Sequence, residues 1–511
     1  MRSKKAILNI VSNLALQIII IIYGFIVPKV IITHFGSNVN GLISSITQFL
    51  AYISLLESGF GPVVKAVLYK PISEKDNKEI ACILKTSEKF FRNISKVFIL
   101  YIIVLCFIYP LIINNNFDKI FTISLILIIS ISTFAEYFFG MTYKLFLQAD
   151  QKNYIISFIQ AVTYIISVFV VIIFAYLNMN IQIIKLVSGL VFVLRPILQN
   201  WYVKKKYNIN FKDVKKDYVL KQKWDGLAQH IAAVIHGNTD IAILSIMCNL
   251  SEVSVYSVYN LVVKGIKQFA QIFSNGIDSL FGDMIAKKEH HNLNEKFELY
   301  EVLYFTIIAI LFSSTIILIT PFIGVYTKEI MDANYIRYTF GYLIVISEYI
   351  WAIRLPYSSL TLAAGHFKET RTGAWVECIS NIVLSIILVT RYGLIGVAIG
   401  TVIAMLLRTI EFIYHTNKYI LKRSIFNSLR KILILIFETL IIVFMVKFLP
   451  LLNNTSYFNW TLNSLMVCLL ACGVVFMFNI FLYKKELSNF KAIIKKMIRR
   501  KKQNFNHNDS I

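Results

Sequence analysis

The chain has 511 residues, of which 57% are hydrophobic and only 16% charged, with a formal net charge of +24. A soluble protein of this size carries about 25% charged residues, so a soluble globular enzyme is excluded. The positive charge does not mark a nucleic-acid binder either, because most Lys and Arg lie in short breaks beside apolar runs.

The apolar residues form runs of about 20, the length needed to cross a hydrocarbon core of about 30 Å. The first twenty residues, MRSKKAILNIVSNLALQIII, join a basic end to an apolar run. That run is too long for a secretory signal and no small-x-small cleavage site follows, so it reads as an uncleaved first span. Spans are predicted near 6–33, 41–68, 96–114, 120–147, 154–177, 181–202, 225–247, 252–285, 298–324, 338–363, 372–390, 393–416, 428–449 and 459–483. Spans 2 and 8 are long enough to extend beyond the bilayer.

Basic residues fix the count and orientation. With each break taken together with the last turn of its flanking spans, 40 of the 52 Lys and Arg fall on one side and five on the other. One missed or invented span would destroy that alternation, so fourteen spans with both termini cytoplasmic are expected. The other seven lie inside spans: Lys29, Lys185, Arg195, Lys264, Lys267, Arg354 and Arg408. Each would cost at least about 2.5–3.5 kcal/mol facing lipid at mid-bilayer. Lys29 and Lys185 lie near the outer surface and are expected to snorkel. Arg195 and Arg354 each precede a proline, where cavity lining and snorkelling both fit. Arg408 and Glu411, three residues apart, are expected to pair.

An internal repeat is visible. SNVNGLISS from Ser37 and SEVSVYSVY from Ser251 open spans 2 and 8, at an offset that also aligns the ends of spans 1 and 7. The expected organisation is therefore an N-terminal lobe of spans 1–6 (1–204), a cytoplasmic linker (205–224), a C-terminal lobe of spans 7–12 (225–422), spans 13 and 14 (423–483), and a basic tail (484–511). Parallel repeats of this kind recur in transporters, with substrate held between halves. The tail, KKELSNFKAIIKKMIRRKK, is amphipathic; it either lies on an anionic leaflet or serves only to fix topology.

Polar residues at helical spacing point to a wet interior. In span 8, Asn260, Lys264, Lys267, Gln271, Asn275 and Asp278 share a face about 27 Å long at 1.5 Å per residue. Such a face cannot look at lipid. Two neighbouring like charges make poor interhelical glue, so Lys264 and Lys267 are expected to line a cavity. Span 7 carries Gln229, His236 and Asp240, and span 2 carries Thr47, Ser54, Glu57 and Lys65 on one face. Asn9, Asn13 and Gln17 in span 1 fit either cavity lining or hydrogen bonding between helices. The intramembrane acids Glu57, Glu136, Asp240, Asp278, Glu348 and Glu438 must pair or titrate, and Asp240 with His236 is the most relay-like pair. The six cysteines are scattered. Cys468 and Cys472 share a face but no His or carboxylate completes a metal set, so they read as small buried hydrophobes. No phosphate-binding glycine loop is present, so no nucleotide cofactor is expected and any coupling would use H+ or Na+.

Two segments carry a family resemblance. GSNVNGLISSITQFLAYISLLESGFGPVVKAVLYKPISEKDNKEI resembles the span-2 region of polysaccharide flippases, and GNTDIAILSIMCNLSEVSVYSVYNLVVKGIKQFAQIFSNGIDSLFGDMIAKK resembles their span 7–8 region. These proteins belong to the superfamily that also holds multidrug and toxic-compound extrusion (MATE) antiporters and the lipid II flippase. The resemblance implies an all-α, MATE-like arrangement of two six-helix lobes plus two C-terminal helices. It implies a cargo of undecaprenyl-pyrophosphate-linked oligosaccharide, as in O-antigen or capsule assembly, in a bacterial inner membrane. Partners in that setting would be the glycosyltransferases and polymerase of the same pathway. It also implies a cationic cavity for the pyrophosphate. Lys264, Lys267, Gln271, Asn275, Asn260, Lys65, Arg195 and Arg354 are the substrate candidates, and Asp240, His236 and Glu57 the coupling candidates. The competing readings are an ion-coupled multidrug antiporter, which predicts acids dominating the cavity, and a membrane polysaccharide polymerase. The polymerase would need a larger external loop than any here. A channel is disfavoured by the lack of a pore motif.

Overall fold

Local sequence dictates helix throughout, because in hydrocarbon each backbone polar group must be satisfied within its own segment. The computed structural model describes residues 2–57, 59–113, 117–207, 209, 227–274, 277–287, 289–453, 456–484, 486 and 488. Most of the expected linker, nearly all of the basic tail, and Asn275 lie outside the described residues. The described chain has helices and no strands. In order they are α1 (Arg2–Phe35), α2 (Ser37–Ala51), α3 (Phe60–Glu74), α4 (Asn77–Ile112), α5 (Lys119–Ala135), α6 (Met141–Ala149), α7 (Asn153–Tyr176), α8 (Ile181–Tyr207) and α9 (Leu227–Met247). They continue with α10 (Leu250–Ser274), α11 (Ile277–Ala286), α12 (His290–Tyr326), α13 (Tyr338–Ala363), α14 (Arg371–Tyr392), α15 (Leu394–His415), α16 (Phe426–Met445) and α17 (Tyr457–Leu482).

Ten helical segments among the described residues are long and apolar enough to cross a membrane. Large apolar side chains such as Phe107, Leu111, Ile120 and Phe481 stand exposed along them, as lipid-facing surface requires. The chain is a multi-pass membrane protein. The helices at expected spans 7, 8, 10 and 13 (α9, α10, α13 and α16) are present but fall outside those ten. Each carries charge within its length, including Asp240, Lys264, Glu348 and Lys431.

Two compact units form: residues 1–261 with 327–334 and 382–397, and residues 262–326 with 335–381 and 398–511. In the first, α1 lies along α7, and α7 and α5 pack on α8. In the second, α12 packs against α13, α16 and α17. Within the first unit Asn40 donates to Ser254 Oγ at 2.8 Å, a separation of 214 residues. The two residues are equivalent under the offset that relates Ser37 to Ser251. Gly41 permits this approach, since a Cβ there would stand 1.8 Å from the Leu250 carbonyl oxygen.

Two departures from regular helix shape the first unit. Tyr52–Glu57 continues α2 as a 3₁₀ turn, and Gly59 takes a left-handed φ of 79° before α3 begins. Glu136–Gly140 forms a π turn between α5 and α6. Gly140 is needed there, because a Cβ would meet Pro196 Cβ of α8 at 2.4 Å. Turns of this kind mark functional sites more often than chance.

Candidate functional site

Both irregular turns deliver a carboxylate to one cavity of about 480 Å³ inside the first unit. Glu57 comes from the 3₁₀ turn and Glu136 from the π turn. Thr47 and Ser54 of the α2 segment, Ser132 and Thr133 of α5, and Lys185 and Ser188 of α8 add polar groups to its wall; Tyr23, Tyr137 and Phe192 add aromatic surface, and Ile43, Leu50, Ile53, Ile129 and Met141 make much of the rest aliphatic. One carboxylate oxygen of Glu57 is buried without a hydrogen-bond partner in the described structure. Lys65, expected on the same face, lies beyond the break at Gly59. It is half-buried on α3 and does not line this cavity.

Glu136 is bound to Lys144 at 2.6 Å. Eight residues along a regular α-helix leave the two side chains about 80° apart. The extra residue of the π turn cancels most of that angle and brings them to one face. Lys185 lines the same cavity instead of only reaching toward a surface, and it forms no ion pair with a carboxylate among the described residues.

A smaller cavity of about 90 Å³ shares Ser132, Thr133, Glu136 and Phe192 and includes Arg195. Arg195 Nε donates to Thr163 Oγ1 at 2.6 Å, and the guanidinium carbon lies 4.1 Å from the ring centres of Tyr164 and Phe192. Its Nη2 is buried with no partner. Such an Arg is held by its ring contacts and keeps donors in reserve.

The α10 stripe is divided by chemistry. Asn260 is half-buried, while Lys264 and Gln271 are exposed. Lys267 is bound to Glu348 of α13 at 2.8 Å, and its ammonium lies 4.3 Å from the centre of the Trp351 ring. Glu348 and Trp351 are one turn apart and clasp the lysine together. Of the two lysines, only Lys264 has no carboxylate within ion-pair distance among the described residues. Asp240 is 5% exposed and accepts from Tyr256 Oη at 2.9 Å. The side chains of His236 and Asp278 lie outside the described residues, so the Asp240–His236 relay has no described geometry.

Arg354 belongs to a closed network in the second unit. Its Nη1 contacts Glu377 at 2.8 Å; Arg408 contacts Glu377 at 3.4 Å and is hydrogen-bonded to Glu411. The Arg408–Glu411 pair is the one its spacing predicts. Spacing alone misses Glu377, because its partners lie on other helices. A second knot gathers on Glu301, which is 0% exposed. Lys431 binds it at 2.6 Å and Arg423 at 3.0 Å, and Ser428 donates at 3.0 Å. Tyr357 also donates to Glu301.

In span 1 the polar residues serve as glue. Asn9 Oδ1 accepts from Tyr154 N at 2.8 Å, and Asn13 Oδ1 accepts from Ser157 Oγ at 2.6 Å, fixing the start of α7 against α1. No group of three or more metal-ligating side chains exists among the described residues.

No protein-family model and no curated protein matches the chain in sequence. Solved structures do match in fold. The lipid II flippase MurJ, in an inward closed conformation, aligns over 93% of this chain and 100% of its own, with a TM-score of 0.67 and 16% identity. An inward-facing MATE family multidrug transporter of the MOP superfamily aligns over 80% of this chain and 94% of its own, with a TM-score of 0.59 and 13% identity. The MATE multidrug transporter DinF-BH aligns over 81% of this chain and 95% of its own, with a TM-score of 0.53 and 12% identity. The chain has the fold of these membrane transporters.

Proposed function

We propose that this protein is a flippase that carries undecaprenyl-pyrophosphate-linked oligosaccharide from the cytoplasmic to the outer leaflet of a bacterial inner membrane. The observation that carries this reading is the lysine pair on α10, Lys264 exposed and Lys267 held by Glu348, in a fold shared with a lipid flippase over 93% of the chain. A pyrophosphate entering hydrocarbon needs cations, and lysine supplies a mobile point charge. An arriving phosphate competes with Glu348 for Lys267, and its departure returns the lysine to that carboxylate. Gln271, one turn further along α10 than Lys267, offers a hydrogen bond to the saccharide. The prenyl chain stays in lipid, and alternating access moves the headgroup. Glycosyltransferases and a polymerase of the same pathway would supply and consume the cargo.

The test is transport by the purified protein in liposomes loaded with a fluorescent polyprenyl-pyrophosphate oligosaccharide. Lys264→Ala with Lys267→Ala is expected to slow flipping about tenfold or more, the worth of one to two charge-assisted contacts. Undiminished flipping by that double variant, with normal insertion, overturns the assignment.

The bare carboxylate oxygen of Glu57 favours a second reading, an antiporter coupled to H+ or Na+ with Glu57, Asp240 and His236 as coupling groups. Drug-dependent cation flux that is lost in Glu57→Gln and kept in the double lysine variant would select it.

A further inference from the structure

The cavity of the first unit holds chemistry that the α10 lysines do not explain. Lys185 presents an ammonium to a cavity that also holds Glu57 and Glu136, but it has no carboxylate within ion-pair distance among the described residues, and in a low-dielectric wall such a charge attracts an anion. Ser188 and Phe192 follow it at three- and four-residue steps, so one face of α8 offers a cation, a hydroxyl and an aromatic ring over about 10 Å. Glu57 lines the same cavity, and one of its carboxylate oxygens is buried without a hydrogen-bond partner among the described residues. Glu136 is already bound by Lys144, so it does not neutralise Lys185. The volume of about 480 Å³ falls in the range that holds small polar molecules.

We propose that this cavity binds a carboxylate-bearing sugar, with the carboxylate on Lys185, ring hydroxyls on Glu57 and the serine and threonine wall, and a pyranose face against an aromatic ring. A fatty acid would match Lys185 but leave the Glu57 oxygen and the hydroxyls unpaired. A neutral sugar would leave Lys185 unpaired. An amine would match Glu57 and repel Lys185. A ligand with one anionic group, several hydroxyls and an apolar ring face matches Lys185, the serine and threonine hydroxyls and the apolar part of the wall together. The proposal rests on the flippase reading in one respect, that the bound sugar is part of the cargo headgroup; the binding itself does not depend on transport.

The experiment is equilibrium binding of free D-glucuronate, D-glucose and glucosamine to the full-length protein in lipid nanodiscs, read by saturation-transfer NMR and by ligand-dependent thermal stability. Glucuronate is expected to bind saturably, and the other two sugars about tenfold or more weaker. Lys185→Met is expected to lose about the same factor, Lys185→Arg to keep most of the affinity, and Glu57→Gln to lose less than Lys185→Met. Should Lys185→Met misassemble, Gly189→Leu serves instead. Gly189 lines the cavity and has room for a Cβ, 3.7 Å from the nearest atom, so a larger side chain there takes up cavity space while Lys185 and Glu57 keep their chemistry. Equal binding of glucose and glucuronate, or undiminished glucuronate binding by Lys185→Met or Gly189→Leu, overturns the proposal. Lys264→Ala with Lys267→Ala should leave glucuronate binding intact. Loss of flipping in that double variant and loss of binding in Lys185→Met are therefore separate results, and either can fail alone.

Discussion

The two units treat intramembrane charge in opposite ways. In the first, Lys185, Glu57 and Arg195 keep polar atoms without partners along the walls of cavities. In the second, Arg354, Glu377, Arg408 and Glu411 close on one another, and Glu301 is saturated by Lys431, Arg423, Ser428 and Tyr357. Two groups are exceptions there among the described residues: Glu438, 3% exposed with one oxygen unpartnered, and Lys264, with no carboxylate within ion-pair distance. Burying a charge in hydrocarbon is costly, so a charge left unpaired has a use other than holding the fold together, whereas a satisfied network sets geometry.

The sharpest way to break this comparison is at Glu301. Glu301→Ala leaves Lys431 buried with no acid and Arg423 with Glu298 alone, at 3.3 Å, and is expected to cost about 3–5 kcal/mol. A large fall in melting temperature and in monodisperse yield in detergent should follow. Glu301→Gln, which keeps hydrogen-bonding atoms, should lose less. If Glu301→Ala melts like the parent, the knot is not what holds α16 to α12.

Next comes Arg408, 2% exposed. Arg408→Leu strands Glu411 but leaves Arg354 to satisfy Glu377, so a loss of about 3 kcal/mol is expected. A thermal double-mutant cycle with Glu411→Gln should return a coupling of about 1–3 kcal/mol, whereas strict additivity would mean the two residues do not act together.

These two networks also show how far the sequence can be read. Arg408 with Glu411 is legible because both sit one turn apart on one helix, where spacing is geometry. The helices themselves are legible because hydropathy and the alternation of basic loops are set by the bilayer. Glu301 is not, since its partners lie 56 to 130 residues away on other elements. The Lys267–Glu348 pair is hidden for the same reason. It changes the reading of the α10 stripe from two free cations to one held by a carboxylate and one with none in ion-pair distance among the described residues. Glu136 with Lys144 fails differently: the pair exists because a π turn adds a residue, and nothing in EYFFG announces that turn. Lys185 looks like a snorkelling residue because it lies near a helix end, but depth along a helix does not say which neighbour a side chain faces.

A smaller effect is expected where glue is neutral. Asn13→Ala removes the acceptor for Ser157 Oγ and Asn153 Nδ2. Hydrogen bonds between membrane helices average about 0.6 kcal/mol, so about 1 kcal/mol should be lost for the two. Flipping should be unchanged once the melting shift is allowed for. A large transport defect with an unaltered melting temperature would instead move span 1 into the pathway.

The smallest expected change in stability is the most discriminating, because its sign is unusual. Arg408 and Lys185 are both cations inside helices, but only Arg408 has carboxylates to bind. Replacing Lys185 by Met keeps the length and apolar stem of the side chain and removes a charge that no described partner compensates. The folded protein should therefore become slightly more stable, by about 1 kcal/mol, as happens when a residue kept for function is replaced by one suited to packing. Differential scanning fluorimetry on Lys185→Met and Arg408→Leu, measured side by side without added sugar, should show shifts of opposite sign. A drop for Lys185→Met as large as that for Arg408→Leu would mean that Lys185 is bound by something structural, and the cavity would lose its cation.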